Sequence, residues 1–234
     1  MRLDIDLTQG KTKRNVFFTS DFHMYHQNVL KFDDRPFNDV HEMHIAIEER
    51  WNDVVGPDDV VVYLGDLSFA RGDDKSFVEG MMNNLNGTIH YVLGNHDRVS
   101  DIKKINKFAS VQDYLEVNIK YMQLDESLNG VYVKRETLFC CMHYPILEWN
   151  KKYHGNSFMI HGHCHMNLFN NDKDWFDKIS EFSKYIPNEQ LDEYNKLIGN
   201  KHYYKGKVVD VGCMGWDYRP VSYLDILTLD TSVA

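Results

Sequence analysis

The chain has 234 residues, 43% of them hydrophobic, which suffices for one large domain with a substantial core. No apolar run approaches the roughly 18 residues of a membrane span, and Met1-Arg2-Leu3-Asp4-Ile5-Asp6 lacks the apolar stretch of a secretion signal, so a cytoplasmic setting is expected. A formal charge of −9, from 26 basic and 35 acidic residues, repels polyanions and argues against an extended nucleic-acid surface.

Residues 15–19 read as a buried strand. Residues 39–55 read as a helix, with Val40, Met43, Ile47, Trp51 and Val54 on one face and Asp39 with Glu42 as a capping box. His41 and His44 beside that box read as a solvated face. Residues 60–64 are an apolar strand that runs into Gly65-Asp66. Residues 76–85 read as a short helix with Phe77, Val78, Met81, Met82 and Leu85 inward, and Asn86-Gly87 turns the chain. The strand at 88–93 delivers Gly94-Asn95-His96-Asp97, and a short helix near 100–108 carries Ile102 and Ile105. Residues 111–122 and 131–142 read as strands, the second ending at His143-Tyr144-Pro145. On that strand Cys140 and Cys141 point to opposite faces; with Cys164 and Cys213 they form no C-x-x-C pair and read as reduced thiols. Residues 157–160 lead into His161-Gly162-His163-Cys164-His165. Residues 169–206 stand apart as an inserted helical pair, a lid or an interface, and residues 207–211 and 223–229 read as closing strands. Helices and strands mixed early, with strands dominating late, predict a two-sheet α/β sandwich formed by a single domain over 1–234.

Five segments end a hydrophobic run with metal-binding groups: Asp21-Phe22-His23, Gly65-Asp66, Gly94-Asn95-His96-Asp97, His143 and Gly162-His163-Cys164-His165. Carboxylate, imidazole and amide oxygen together suit borderline divalent ions such as Mn, Fe, Co or Zn, and not a thiolate zinc site. Each group emerges at a strand end, where open α/β sheets place their ligands. Cys164, between two candidate ligands, points away from the metals by alternation.

The ordered series D-x-H, G-D, G-N-H-D, H and G-H-x-H resembles the calcineurin-like metallophosphoesterase superfamily over residues 16–165, extended by the strand at 208–212. Residues 22–28, Arg35-Pro36-Phe37 and residues 216–222 look like its small bacterial and phage subgroup. The resemblance implies a four-layer α/β/β/α sandwich of two mixed sheets flanked by helices. It also implies two divalent ions, Mn foremost, with Ni and Mg among the alternatives. Asp21, His23 and His165 would bind one ion, Asn95, His143 and His163 the other, and Asp66 would bridge both. Such a pair clamps a phosphate and acidifies a water, so no side-chain nucleophile is needed. His96 would stand near the leaving group as a proton donor, and Asp97 would orient it.

Five further residues are candidates for substrate. His26 could touch phosphate, back a ligand or cap a turn, and Arg35 could fork on a phosphate or form an ion pair. Trp216 or Tyr218 could stack on a base and Arg219 bind phosphate, against a packed loop holding an Arg–Asp pair. Negative charge favours a small substrate, and the aromatic and arginine candidates favour a nucleotide. The expected activity is hydrolysis of a phosphate monoester, a (deoxy)nucleoside 5′-monophosphate, by a metal-activated water, in the manner of a phage nucleotidase in a host cytoplasm. A phosphodiesterase on cyclic nucleotides or nucleic-acid ends is the first alternative. A non-catalytic binding scaffold is the second, and intact His96 argues against it.

Overall fold

A computed structural model describes residues 1–8, 14–128, 130–166 and 208–229. Within them two five-stranded mixed sheets face one another. One runs β10-β2-β3-β4-β5, from β2 (Val16–Thr19), β3 (Val60–Tyr63), β4 (Thr88–Val92), β5 (Phe108–Gln112) and β10 (Val221–Ser222); only β10 is antiparallel to its neighbour. The other runs β1-β6-β7-β8-β9, from β1 (Arg2–Asp6), β6 (Tyr114–Asp125), β7 (Val131–Met142), β8 (Ser157–His161) and β9 (Val208–Asp210); only β6 and β7 pair antiparallel.

Strand alternation divides the apolar residues between layers. Val16, Phe18, Val60, Val62 and Leu64 meet Val117, Phe139, Ile160 and Val209 between the sheets. Phe17, Val61, Tyr63 and Tyr91 face outward and pack on Met43, Ile47 and Trp51 of α2 (Val40–Val54) and on Val78, Met81 and Met82 of α3 (Asp74–Asn84). β2 and β3 are buried throughout, which is why they read as unbroken apolar runs. On the outer face of the β6–β7 sheet, Leu138, Cys140 and Met159 are covered by Trp149 and Ile146, and Cys141 points the other way into the inter-sheet core, as alternation predicts. The expected helical insertion at 169–206 lies outside the described residues. No described helix is long and apolar enough to cross a membrane.

Several expectations are corrected. β1 is an additional edge strand, parallel to β6, that has no signature in the sequence because only Ile5 of it is buried. The expected single strand at 111–122 is two strands in different sheets, β5 and β6, separated at Asp113. The expected helix at 100–108 is one turn, α4 (Val99–Ile102); α1 (Val29–Phe32) is another single turn. Residues 223–229 form a helix, α5 (Tyr223–Leu229), not a strand. Ser222 and Asp225 fix its start reciprocally: the Ser222 hydroxyl accepts from the Asp225 N–H at 3.2 Å and the Asp225 carboxylate from the Ser222 N–H at 3.3 Å. In α2, Asp39 caps the His41 and Glu42 N–H groups as expected, but Glu42 reaches Asn38 rather than closing the box on Asp39. Phe77 is 44% exposed instead of inward. His44 is buried, where its Nε2 accepts from the Tyr25 N–H at 3.2 Å.

Candidate metal centre

The five motif segments follow β2, β3, β4, β7 and β8 and interlock. The Asp21 N–H donates to the Gly65 carbonyl at 3.0 Å and the His23 N–H to the Asp66 carbonyl at 3.1 Å. Asp21, His23, Asp66, His163 and His165 all have φ between 49° and 66°. That left-handed region is unfavourable for residues other than glycine, and its concentration in candidate ligands is strain spent on aiming side chains. Glycine beside the ligands is demanded by close approach. A Cβ on Gly94 would stand 2.5 Å from the Asp66 nitrogen, and one on Gly162 would stand 2.5 Å from the Asp21 carboxylate.

Two groups of ligand atoms converge. Asp21, His23 and His165 form one, and Asp21, Asp66 and His143 the other, each with its atoms within 4.8 Å of one another. Asp21 is common to both groups, and Asp66 Oδ2 of the second lies 3.4 Å from His143 Nε2 and 3.6 Å from His23 Nε2 of the first. Asn95 Oδ1 stands 2.9 Å from both His143 Nε2 and His163 Nδ1. Cys164 belongs to neither group.

The protonation pattern fits cations. His143 Nδ1 lies 2.6 Å from the Leu64 carbonyl and His165 Nδ1 lies 2.8 Å from Asp33, so the proton is assigned to Nδ1 in each ring. Each Nε2 then offers a lone pair to the centre. His165 Nε2 faces His23 Nε2 at 3.1 Å, and His143 Nε2 faces the oxygens of Asn95 and Asp66. Lone pairs aimed at one another repel unless a proton or metal ion lies among them. Burial pushes Asp21 up to about 7 and pushes His23 down to about 3. Burial opposes the charged form of Asp66 as well, but the hydrogen bond and charge of His143 outweigh it and hold that carboxyl below its usual value. Burial likewise works against charge on His143 and His165, yet hydrogen bonds to Asp66 and Asp33 respectively raise both. Buried carboxylates whose negative charge draws protons onto neighbouring imidazoles are a donor set for borderline divalent ions, which take the place of those protons.

The other expected site residues divide. His96 is exposed beside the centre, its N–H donating to Asp66 at 2.9 Å and its Nε2 4.0 Å from Asp66 Oδ2. Asp97 does not touch the His96 ring. Its carboxylate instead accepts from the Asp66, Leu67 and Gly94 N–H groups and from the Tyr91 hydroxyl, pinning two motif loops together. His26 lies beside the centre, stacked on Phe69 at 4.3 Å, and Phe69 also contacts the rings of His23 and His96. Arg35 is buried beneath the Asp21 loop rather than turned to substrate. Its guanidinium donates to the carbonyls of Asp21 and Phe22 and to Asp33. Tyr218 is buried against Phe37, and Trp216 donates its indole N–H to the Asp210 carbonyl, so both rings serve packing. Arg219 is exposed, and the ion pair of this packed loop is Arg50–Asp217 at 2.7 Å.

Asp33, Phe69 and Asp210 were missed. Asp33 orients His165 from 132 residues away, Phe69 is the ring on which three histidines rest, and Asp210 accepts from the Met166 N–H just after the last motif. None belongs to a metal motif, so no local pattern marks them.

Comparison with known proteins agrees with this geometry. The family model for calcineurin-like phosphoesterases matches residues 15–215. An uncharacterized protein of Methanocaldococcus jannaschii is 32% identical over 202 residues, covering 84% of this chain and 95% of the relative. The Gene 66 protein of Mycobacterium phage D29 is 30% identical over 169 residues, covering 66% of this chain and 80% of that protein. A protein of unknown function from Aquifex aeolicus shares the fold, with a TM-score of 0.55 and 19% identity over 92% of this chain and 99% of that one. With the family matched across all five motifs and the donor groups gathered at one end of the sandwich, the chain belongs to the calcineurin-like phosphoesterases.

Proposed function

We propose that the chain hydrolyses the phosphate monoester of a (deoxy)nucleoside 5′-monophosphate. Two divalent ions, Mn foremost, would be held by Asp21, His23 and His165 on one side and Asn95, His143 and His163 on the other, with Asp66 between them. The convergence of buried carboxylates with imidazole lone pairs carries the metal-dependent hydrolysis in this reading and does not bear on the choice of nucleotide. When bound, the ions supply Lewis acidity and a nucleophilic water at neutral pH. The chain's own residues do the rest. Asp33 and the Leu64 carbonyl fix the ring tautomers, and Arg35 braces the Asp21 loop from beneath. Asp97 holds the Asp66 and Gly94 turns in register. His96, anchored by its backbone but with an exposed ring, is placed to give a proton to the departing oxygen. The match to a phage Gene 66 protein supports a phage setting.

The test is a metal-reconstituted screen with Mn, Mg, Co, Ni and Zn. Substrates would be ribo- and deoxynucleoside 5′- and 3′-monophosphates, cyclic nucleotides and a diester. Phosphate release from a nucleoside 5′-monophosphate is expected. Diester cleavage alone would assign a phosphodiesterase, and no hydrolysis at all would assign a binding scaffold. His96→Ala should keep its metal and lose turnover by about 10²–10⁴-fold, the usual contribution of a positioned acid. Loss of metal in that variant would make His96 a ligand rather than a proton donor.

A further inference from the structure

Two cavities flank the Gly94–Asp97 turn, and their charges differ. One, of about 210 Å³, is bounded by Asn95, His143, Tyr144 and Asp113 and has no lysine or arginine in its wall. The other, of about 300 Å³, begins at His96 and Phe69 and is walled by Arg71, Lys75, Arg98 and Lys104. Glu79, Asp97 and Asp101 are its carboxylates. Asp97 is committed to the loop N–H groups, and Asp101 accepts from Lys75 at 2.8 Å. Arg71, Arg98 and Lys104 form no ion pair within the distance of a salt bridge among the described residues. Asp101 lies below its usual value, first through the Lys75 hydrogen bond and then through the charges of Lys75, Lys104 and Arg98, so the wall carries a positive field. In a chain of net charge −9 such a concentration is local and directional. The floor, by contrast, is apolar, with half-buried Ala70 and Ile105 beside the buried Leu67, Val78 and Ile102.

We infer that the cavity beside His96 binds the leaving group, and that this group is a nucleoside 3′-monophosphate, so that the substrate is a nucleoside 3′,5′-bisphosphate. The inference rests on the phosphomonoesterase reading above. It adds that the scissile 5′-phosphate sits at the metal centre, the 5′ oxygen at His96, the base over the apolar floor, and the 3′-phosphate against Arg71, Arg98 and Lys104. Planar guanidinium forks match phosphate oxygens and give such a contact its geometry. In the reaction the water oxygen bonds to phosphorus as the P–O5′ bond breaks. The 5′ oxygen takes a proton from His96, the attacking water releases one to solvent and solvent returns one to His96, and the products are inorganic phosphate and a nucleoside 3′-monophosphate.

The test compares two substrates on the metal-loaded full chain: deoxyadenosine 5′-monophosphate and deoxyadenosine 3′,5′-bisphosphate, with the nucleoside product resolved by chromatography. The expected result is a kcat/KM for 5′-phosphate release about tenfold or more higher for the bisphosphate, the scale of one charge-assisted contact. That ratio should fall to near one in Arg98→Ala and in Arg71→Ala, and should persist in Lys134→Ala, a cation on the β7 strand far from this wall in the sheet order. Calorimetric binding of deoxyadenosine 3′-monophosphate to the metal-loaded protein should weaken about tenfold in Arg98→Ala. Equal kcat/KM for the two substrates, or a ratio unmoved in both arginine variants, would overturn the inference while leaving the monoesterase in place. Hydrolysis of neither substrate would overturn both.

Discussion

His165 presents Nε2 to the centre because Asp33 holds the proton on Nδ1, at 2.8 and 2.9 Å. Asp33→Asn keeps an acceptor but removes the charge that raises the basicity of the ring, so metal affinity should fall by about 10- to 100-fold in a calorimetric titration. Asp33→Ala also strands the buried Arg35 guanidinium, and a urea titration should show an additional loss of roughly 3–5 kcal/mol. An unchanged metal affinity in the asparagine variant would detach Asp33 from the centre. The candidate ligands themselves were legible because each lies within a short motif at a strand end. Asp33, Phe69 and Asp210 were not, because their importance comes from contacts across the fold. Asp97 was found by its motif but assigned the wrong partner: its oxygens face backbone N–H groups, which no residue pattern distinguishes from an imidazole. His44 illustrates a similar limit, since helical spacing near a cap suggests solvent while Tyr25 and Phe77 cover the ring. Burial, and then the charge of His41, lower His44 to about 4. The unfolded chain therefore binds the proton first, and this contribution to stability is complete above about 6.5 and is lost as pH falls towards 4. His44→Gln should flatten that part of the urea-midpoint profile between pH 7.5 and 5; an identical profile would show that the ring titrates normally.

Elements were legible where burial was complete on one side or both. β2, β3 and β4 announce themselves as apolar runs stopped by a metal motif, and α2 by a stripe at helical spacing after a capping aspartate. Elements decided by pairing or capping were not. β1 exposes most of its residues and exists because β6 offers it a parallel edge. α5 was mistaken for a strand because residues 223–229 are a short aromatic and aliphatic run after a core strand, too short for its helical spacing at Tyr223 and Ile226 to stand out. The structure shows why the helix wins: Tyr223 and Ile226 share its buried side, and the Ser222–Asp225 pair occupies the first free N–H groups. Ser222→Ala removes half of that pair and should cost about 1 kcal/mol, read from the urea midpoint. No change in midpoint would mean that packing of Ile226 alone sets the helix. Metal binding should be unaffected, since Ser222 touches Asp225 and no candidate ligand.

At the scale of the molecule, two sheets meet with their motif-bearing strand ends together, and acidic groups are buried where the loops interlock. Without cations that arrangement is self-opposed. Asp21 is raised from 3.8 to about 7, so the metal-free folded state binds a proton that the unfolded chain releases, and stability falls as pH rises from about 4 to 7. His143 and His165, also raised, lose stabilising protonation as pH rises above about 6.5. His23, lowered to about 3, and His163, also lowered, act oppositely and favour the folded state above about 6.5, and Asp66 does so above 3.8, so the centre's own protonation pulls stability in both directions. Metal ions that bind only the folded chain add stability to it whatever the sign of that balance. With free metal at 100 times Kd the stabilisation is about 2.7 kcal/mol, which for a chain of this size is roughly 5 to 10 °C in Tm. Chelation should therefore lower Tm by about that amount at pH 7.5. It should lower it less at pH 6, where protons substitute at Asp21, His143 and His165 and metal binds more weakly. Scanning calorimetry with and without EDTA at the two pH values would check this. A Tm indifferent to chelator at both would mean that the buried carboxylates are balanced by the protein alone, and the dinuclear assignment would lose its physical basis.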